Sequence, residues 1–177
     1  MKIRNKIRPY LKNSEAMTLL EVGCGTGLIG LEFASLFQRT LLLDGSSDMI
    51  ACVQEKLKDS ALAGNVEALV LDFEQERLSE TFDVVLVVQV LLHIQDSREM
   101  LARLYDSLKP GGRLILVDYT RNNAVKSALI HPGFDVGVLL DELKNTGFSA
   151  SECVVLSDLR EPLMGLPTPL FLICAER

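Results

Sequence analysis

Leu19–Gly30, LLEVGCGTGLIG, carries two glycine patterns laid over each other. From Gly23 it reads GxGxG, through Gly23, Gly25 and Gly27; from Gly25 it reads GxGxxG, through Gly25, Gly27 and Gly30. Alternate glycines after an apolar run let the backbone come close to a bound group where a side chain would collide. The second spacing is the one dinucleotide sites use, and Asp44 follows at about the 20-residue interval that would serve a ribose under either pattern. Local spacing therefore leaves the ligand open.

Outward from this turn the chain alternates apolar strands with amphipathic helices. Strands are predicted near Thr18–Gly23, Arg39–Asp44, Asn65–Leu71, Phe82–Val88 and Arg113–Tyr119. Their Leu, Val and Ile runs do not alternate with polar residues, as expected when both faces of a parallel sheet are covered. One helix is predicted after Ser46 or Ser47, with Met49, Ile50, Val53 and Leu57 as its stripe. A second follows Asp96, with Glu99 completing a capping-box pattern and Met100, Leu101, Leu104 and Leu108 as its stripe, and is expected to stop in a turn at Lys109–Gly112, KPGG. A third, about Val136–Asn145, is capped by Asp135 and closed by Gly147. Two strands end the pattern, about Ala150–Leu156 and Leu170–Ala175. The connection Ser157–Pro169 carries three prolines and reads as too irregular for a crossover helix, so this pair is predicted antiparallel.

The 177 residues suit one domain over positions 1–177. No apolar run approaches the roughly 20 residues of a membrane span, and the N-terminus lacks the apolar segment of a signal peptide, so a cytoplasmic location is expected. The net charge of −6 speaks against general nucleic-acid binding. Five of the 18 basic residues, Lys2, Arg4, Lys6, Arg8 and Lys12, precede the first acid, Glu15, within a basic segment over residues 1–16. Ile3, Ile7 and Leu11 recur every four residues there, the pattern of a short amphipathic helix weakened near Pro9, either a solvated face or a lid over an anion-attracting lip. The four cysteines are scattered without metal-ligand spacing, and no metal is expected.

Three distant features bear on the ligand: Glu21 inside the first strand, Asp72–Phe73 at the end of the third, and the closing antiparallel pair. With these, LLEVGCGTG, LLLDGSSDMI, VLDFE, FDVVLVVQVLLHIQD and LKPGGRLILVDY together resemble the successive motifs of class I S-adenosylmethionine-dependent methyltransferases over roughly Leu19–Tyr119. LLHI and HPGF are similar to elements of that family's small-molecule enzymes. The resemblance implies an α/β, Rossmann-like, mostly parallel seven-stranded sheet with helices on both faces and a C-terminal antiparallel hairpin. It also implies S-adenosyl-L-methionine as cofactor, held around Gly23, Cys24, Gly25 and Gly27. Glu21 would organise the loop, Asp44 would accept from the ribose hydroxyls, Asp72 and Phe73 would meet the adenine, and Gly45, Met49 and Gln89 would be further cofactor-binding residues.

Methyl transfer from a sulfonium is a single displacement that depends on alignment; a base is needed only where the acceptor carries a proton. The two histidines, His93 and His131, fall in loops expected over the C-terminal sheet edge and are the candidate catalytic bases. Gln89, Val90, Tyr119, Arg121 and Asn122 are pocket candidates by position. VVQV lacks the NPPY-type tetrad of many amide and adenine methyltransferases, which points to a small molecule's oxygen, carbon or amine. A protein that holds the cofactor or its demethylated product without catalysis is the alternative, and a nicotinamide dehydrogenase a third. The oligomeric state is left open.

Overall fold

The structure is a computed structural model that describes residues 2–11, 14–58 and 60–177. Lys12 lies outside the described residues. A short helix α1 (Lys2–Ile7) runs into a 3₁₀ turn at Arg8–Leu11, where Pro9 breaks the α-helical pattern. Then come β1 (Thr18–Val22), α2 (Gly30–Phe33), β2 (Arg39–Asp44), α3 (Ser47–Leu57), β3 (Val66–Val70), β4 (Phe82–Val88), α4 (Ser97–Asp106), β5 (Leu108–Tyr119), α5 (Val136–Thr146), β6 (Ser149–Leu163) and β7 (Leu166–Glu176). The strands form one seven-stranded sheet in the order β3-β2-β1-β4-β5-β7-β6. β1 to β5 pair in parallel, and β7 is antiparallel to both β5 and β6.

Consecutive apolar residues in the parallel strands serve opposite faces. Leu42 joins Ile50 and Val53 of α3 in one core, while its neighbours Leu41 and Leu43 join the larger core that contains Leu101 of α4 and Leu139 of α5. That double burial explains why the strands do not alternate in sequence. The predicted caps are present: Ser46 accepts from the Met49 amide, Asp135 from Gly137 and Val138, and Asp96 from Arg98 and Glu99. The Glu99 carboxylate pairs with Arg103, one turn on, instead of returning to the cap. Among the described residues no helix is long and apolar enough to cross a membrane.

Two segments differ from expectation. α4 ends at Asp106, and Leu108, predicted on its stripe, pairs with Phe82 as the first residue of β5. The KPGG stretch is absorbed as an irregularity between the Phe82↔Leu108 and Val84↔Arg113 pairs, held by Lys109 Nζ on Asp83 at 2.7 Å. The proline-bearing connection Ser157–Pro169 is likewise strand: pairing continues from Arg160↔Pro169 to Leu163↔Leu166, around Met164 and Gly165 at φ 51° and 80°. Beyond the last β5 pair, Tyr119↔Leu170, this ribbon is only two strands wide, and alternate amides point away from the partner, so prolines are tolerated. The hairpin is therefore longer than predicted and projects past the end of β5.

Candidate active site

The glycine turn leaves β1 at the C-terminal edge of the sheet, beside the point where strand order reverses between β1 and β4. In open α/β sheets that crevice is where ligands bind. Gly23 has φ 69°, and a Cβ placed on it would collide with the Val90 side chain from the loop after β4, so only glycine permits both the turn and the contact. Gly30 has a different duty. A Cβ there would run into the Glu21 carboxylate and Leu42, so the third glycine of the GxGxxG reading brings α2 close against β1 and β2. Both overlaid patterns are thus used: one shapes the turn and the other packs the helix behind it.

Two carboxylates fasten the turn. Glu21, 2% exposed, accepts from the Gly30 amide at 3.0 Å, and burial pushes its pKa up to about 8, with Asp44 adding to the rise. It is neutral at pH 7 and acts as an internal staple. Asp44 at the end of β2 accepts from Gly25 N at 2.8 Å and from Ser46 N at 2.9 Å, so it ties the turn to the start of α3 while its remaining lone pairs border the cleft. Cys24 is held protonated, its pKa raised to about 12 by burial and then by Glu21 and Asp44.

The cleft has two lobes that share Gly23. One, of about 150 Å³, is bordered by Asp44, Gly45, Asp72 and Phe73, with Leu71, Val90, Ile94 and Met100 as apolar walls. Phe73 is buried while Asp72 is exposed, its carboxylate accepting from Glu74 N at 3.0 Å. The other, of about 490 Å³, is bordered by Glu21, Gly23, Cys24, Gly25, Gln89 and Glu161, together with Ile3 and Arg4 of α1. Among the described residues Gln89 is one of two non-glycine residues at positive φ, 56°, and its side-chain amide nitrogen donates to the Tyr119 hydroxyl at 2.7 Å. A left-handed glutamine at the end of β4 is the kind of backbone strain that ligand sites retain.

Of the residues singled out in the sequence, Glu21, Gly23, Cys24, Gly25, Asp44, Gly45, Asp72, Phe73 and Gln89 border this cleft. Gly27 sits behind it, packed near Leu31 and Val53, and Met49 is part-exposed on the first turns of α3. The histidines are elsewhere. His93 is exposed at the end of a 3₁₀ turn, Leu91–His93, and borders neither lobe. His131 stacks on Phe134 at 4.5 Å and borders a separate cavity with Arg121 and Glu142; its backbone amide donates to Leu92 O at 2.8 Å. Arg121 and His131 of the Thr120–Gly133 loop border that second cavity, while α1 and the β6–β7 ribbon border the cleft through Ile3, Arg4 and Glu161. Ile3 is on the sequence's apolar stripe and Arg4 in its basic run, whereas Glu161 carries no sequence signal, because it lies within a proline-bearing stretch whose pattern is irregular.

The Methyltransferase domain family matches residues 20–114, more than half of the chain. Over 104 residues the chain is 33% identical to the mitochondrial ubiquinone biosynthesis O-methyltransferase of Schizosaccharomyces pombe, covering 58% of this chain and 38% of that protein. Over 108 residues it is 31% identical to the ubiquinone/menaquinone biosynthesis C-methyltransferase UbiE of Klebsiella pneumoniae, covering 59% of this chain and 43% of that protein. The matches span about two fifths of the length of these curated relatives. Among solved structures, phosphoethanolamine N-methyltransferase 2 of Haemonchus contortus, in complex with S-adenosyl-L-methionine, has the same fold, with a TM-score of 0.82 over 99% of this chain and 52% of that one at 17% identity. With a parallel sheet closed by an antiparallel pair, a glycine turn at its crevice and a family match over residues 20–114, the chain belongs to the Methyltransferase domain family.

Proposed function

We propose that the chain binds S-adenosylmethionine in the two-lobed cleft and transfers its methyl group to the oxygen, carbon or amine of a small molecule. The observation that carries this reading is the pairing, across one cleft, of the Gly23–Gly25 turn with Asp44 and the Asp72–Phe73 corner. The donor set fits the cofactor: the smaller lobe offers apolar walls and Phe73 for a purine, Asp44 offers acceptor oxygens for ribose hydroxyls, and the open backbone at the turn admits the methionine portion. When bound, the cofactor supplies an electrophilic methyl on a sulfonium. The chain's own contribution is alignment: the stapled turn fixes one partner and the Gln89 corner borders the space where the acceptor arrives, and positioning of this kind accounts for much of the barrier in a bimolecular step.

Calorimetric titration with S-adenosylhomocysteine, S-adenosylmethionine and NADH tests the binding part. The first two are expected to bind saturably and NADH not to bind; tight NADH binding with no response to S-adenosylhomocysteine would overturn the reading. Incubation with methyl-labelled cofactor and a metabolite extract tests transfer, and label fixed in a small product separates an enzyme from a protein that only holds the cofactor.

In this arrangement the proton of an acceptor does not pass through His93, which is exposed and outside both lobes. His93→Gln is expected to change turnover by less than about threefold, against the roughly 10²- to 10⁴-fold loss that removal of a general base brings. A loss in that larger range, with cofactor affinity intact, would show that the loop after β4 folds its imidazole into the cleft during the reaction.

A further inference from the structure

The larger lobe is bordered by two elements that the family match at residues 20–114 does not include, α1 and the tip of the β6–β7 ribbon. Both are fixed. Ile7 and Leu11 are buried, Lys6 Nζ meets Asp158 at 2.8 Å, and Arg113 donates to Tyr10 O at 3.1 Å, so α1 and the following turn are clamped to the sheet and the ribbon. Leu159 and Leu163, on either side of Glu161, are also buried, which seats the tip against the core and holds Glu161 at the cleft.

The charges bordering this lobe are unequal in what they have left to offer. Arg4 is spent on Glu32, which Arg8 also contacts at 3.3 Å. Glu21 is neutral at pH 7 and engaged with Gly30. Glu161 pairs with Thr168 in the ladder and borders the lobe, and among the described residues no hydrogen bond or ion pair to its side-chain carboxylate is found. The same lobe is bordered by Ile3, Leu28, Ile29 and Val88 as well as by Gln89, and Leu28 is 67% exposed, while burial and then the Glu161 charge raise the pKa of the Tyr119 hydroxyl that Gln89 contacts. An unspent carboxylate above an apolar basin complements a cation mounted on an apolar body.

Resting on the methyl-transfer reading of the same cleft, we propose that Glu161 is a specificity-determining residue that selects acceptors bearing a protonated amine on an apolar body. Glu161 binds the ammonium head and the Ile3–Leu28–Ile29 wall takes the body; an acceptor with a carboxylate in the same place meets like charge and is turned away.

Three probes that share a phenethyl body test this on the protein loaded with S-adenosylhomocysteine: phenethylamine, 2-phenylethanol and 3-phenylpropionate, titrated by calorimetry or ligand-detected NMR. Phenethylamine is expected to bind at least about tenfold more tightly than 3-phenylpropionate, and Glu161→Gln to remove that preference. Glu161→Lys is expected to reverse it. An unchanged urea-unfolding midpoint in both variants serves as the check on folding, and the probes are titrated at saturating S-adenosylhomocysteine. An amine preference that persists in Glu161→Gln, or a wild-type chain that binds the three probes equally or binds none, overturns the proposal and leaves the cofactor reading standing. Failure of S-adenosylhomocysteine to bind the unaltered chain overturns the parent reading instead.

Discussion

Raising the pH from about 5.5 to about 7.5 is expected to cost the folded chain roughly 2–5 kcal/mol of stability, because two buried carboxyl groups resist ionisation. Glu21 and Asp118 are 2% and 0% exposed; burial lifts Glu21 from 4.5 to about 8 and Asp118 from 3.8 to about 7. Asp118 accepts amide hydrogen bonds from Tyr119 at 2.8 Å and Leu92 at 3.2 Å, which pull the other way without cancelling the burial. Between the unfolded and folded values each group holds its proton in the native chain and has lost it in the unfolded one. Unfolding then releases protons, so stability falls by up to about 1.4 kcal/mol per pH unit for each group. The contribution is complete below the unfolded values and is lost as pH climbs through about 7 for Asp118 and about 8 for Glu21. Urea unfolding at the two pH values measures it. Glu21→Gln, which keeps an acceptor for Gly30 N, should remove about half of the slope; a flat profile in the unaltered chain would mean that both groups ionise freely in place.

Asp44→Ala is expected to weaken S-adenosylhomocysteine binding by about 10- to 100-fold, the equivalent of about 1.5–3 kcal/mol of hydrogen bonding to a charged group. The structure adds a second route to the loss: the same carboxylate ties Gly25 N and Ser46 N, so its removal also frees the turn from α3. Folding should survive at a cost of about 1 kcal/mol, because α3 keeps its own cap in Ser46. Asp44→Asn should lie between, since one carbonyl oxygen can serve one amide at a time. Unchanged affinity in a folded Asp44→Ala variant would place the ribose away from β2.

What the sequence disclosed and what it hid follow from the range of the forces involved. Strands buried on both faces, such as Arg39–Asp44 and Phe82–Val88, were legible to the residue because apolar runs end where burial ends. Caps at Ser46, Asp96 and Asp135 were legible because their bonds reach only two or three residues. The antiparallel pairing of β6 with β7 was legible, but its extension over Ser157–Pro169 was not: prolines read as breakers, and only pairing across the turn shows that they stand where no ladder bond is required. The cleft was half legible. Residues on the β1, β2 and β3 turns are tied to local motifs, whereas Glu161 reaches the same space from a hairpin tip whose position depends on long-range pairing. The histidines show the converse, for a loop's place in the chain order fixed neither which cavity His131 borders nor which way His93 faces.

β7 lies between β5 and β6, and its central residues Leu170 to Ile173 are at most 1% exposed. On a ribosome this strand emerges after both of its neighbours. Until it does, β5 presents an open edge from Arg113 to Tyr119 and β6 has no partner in the sheet. The nascent chain therefore passes through an interval in which its first five strands can assemble while their C-terminal side invites pairing with a foreign strand. Insertion of β7 ends that interval by saturating two edges at once, the β5 edge and the β6 edge.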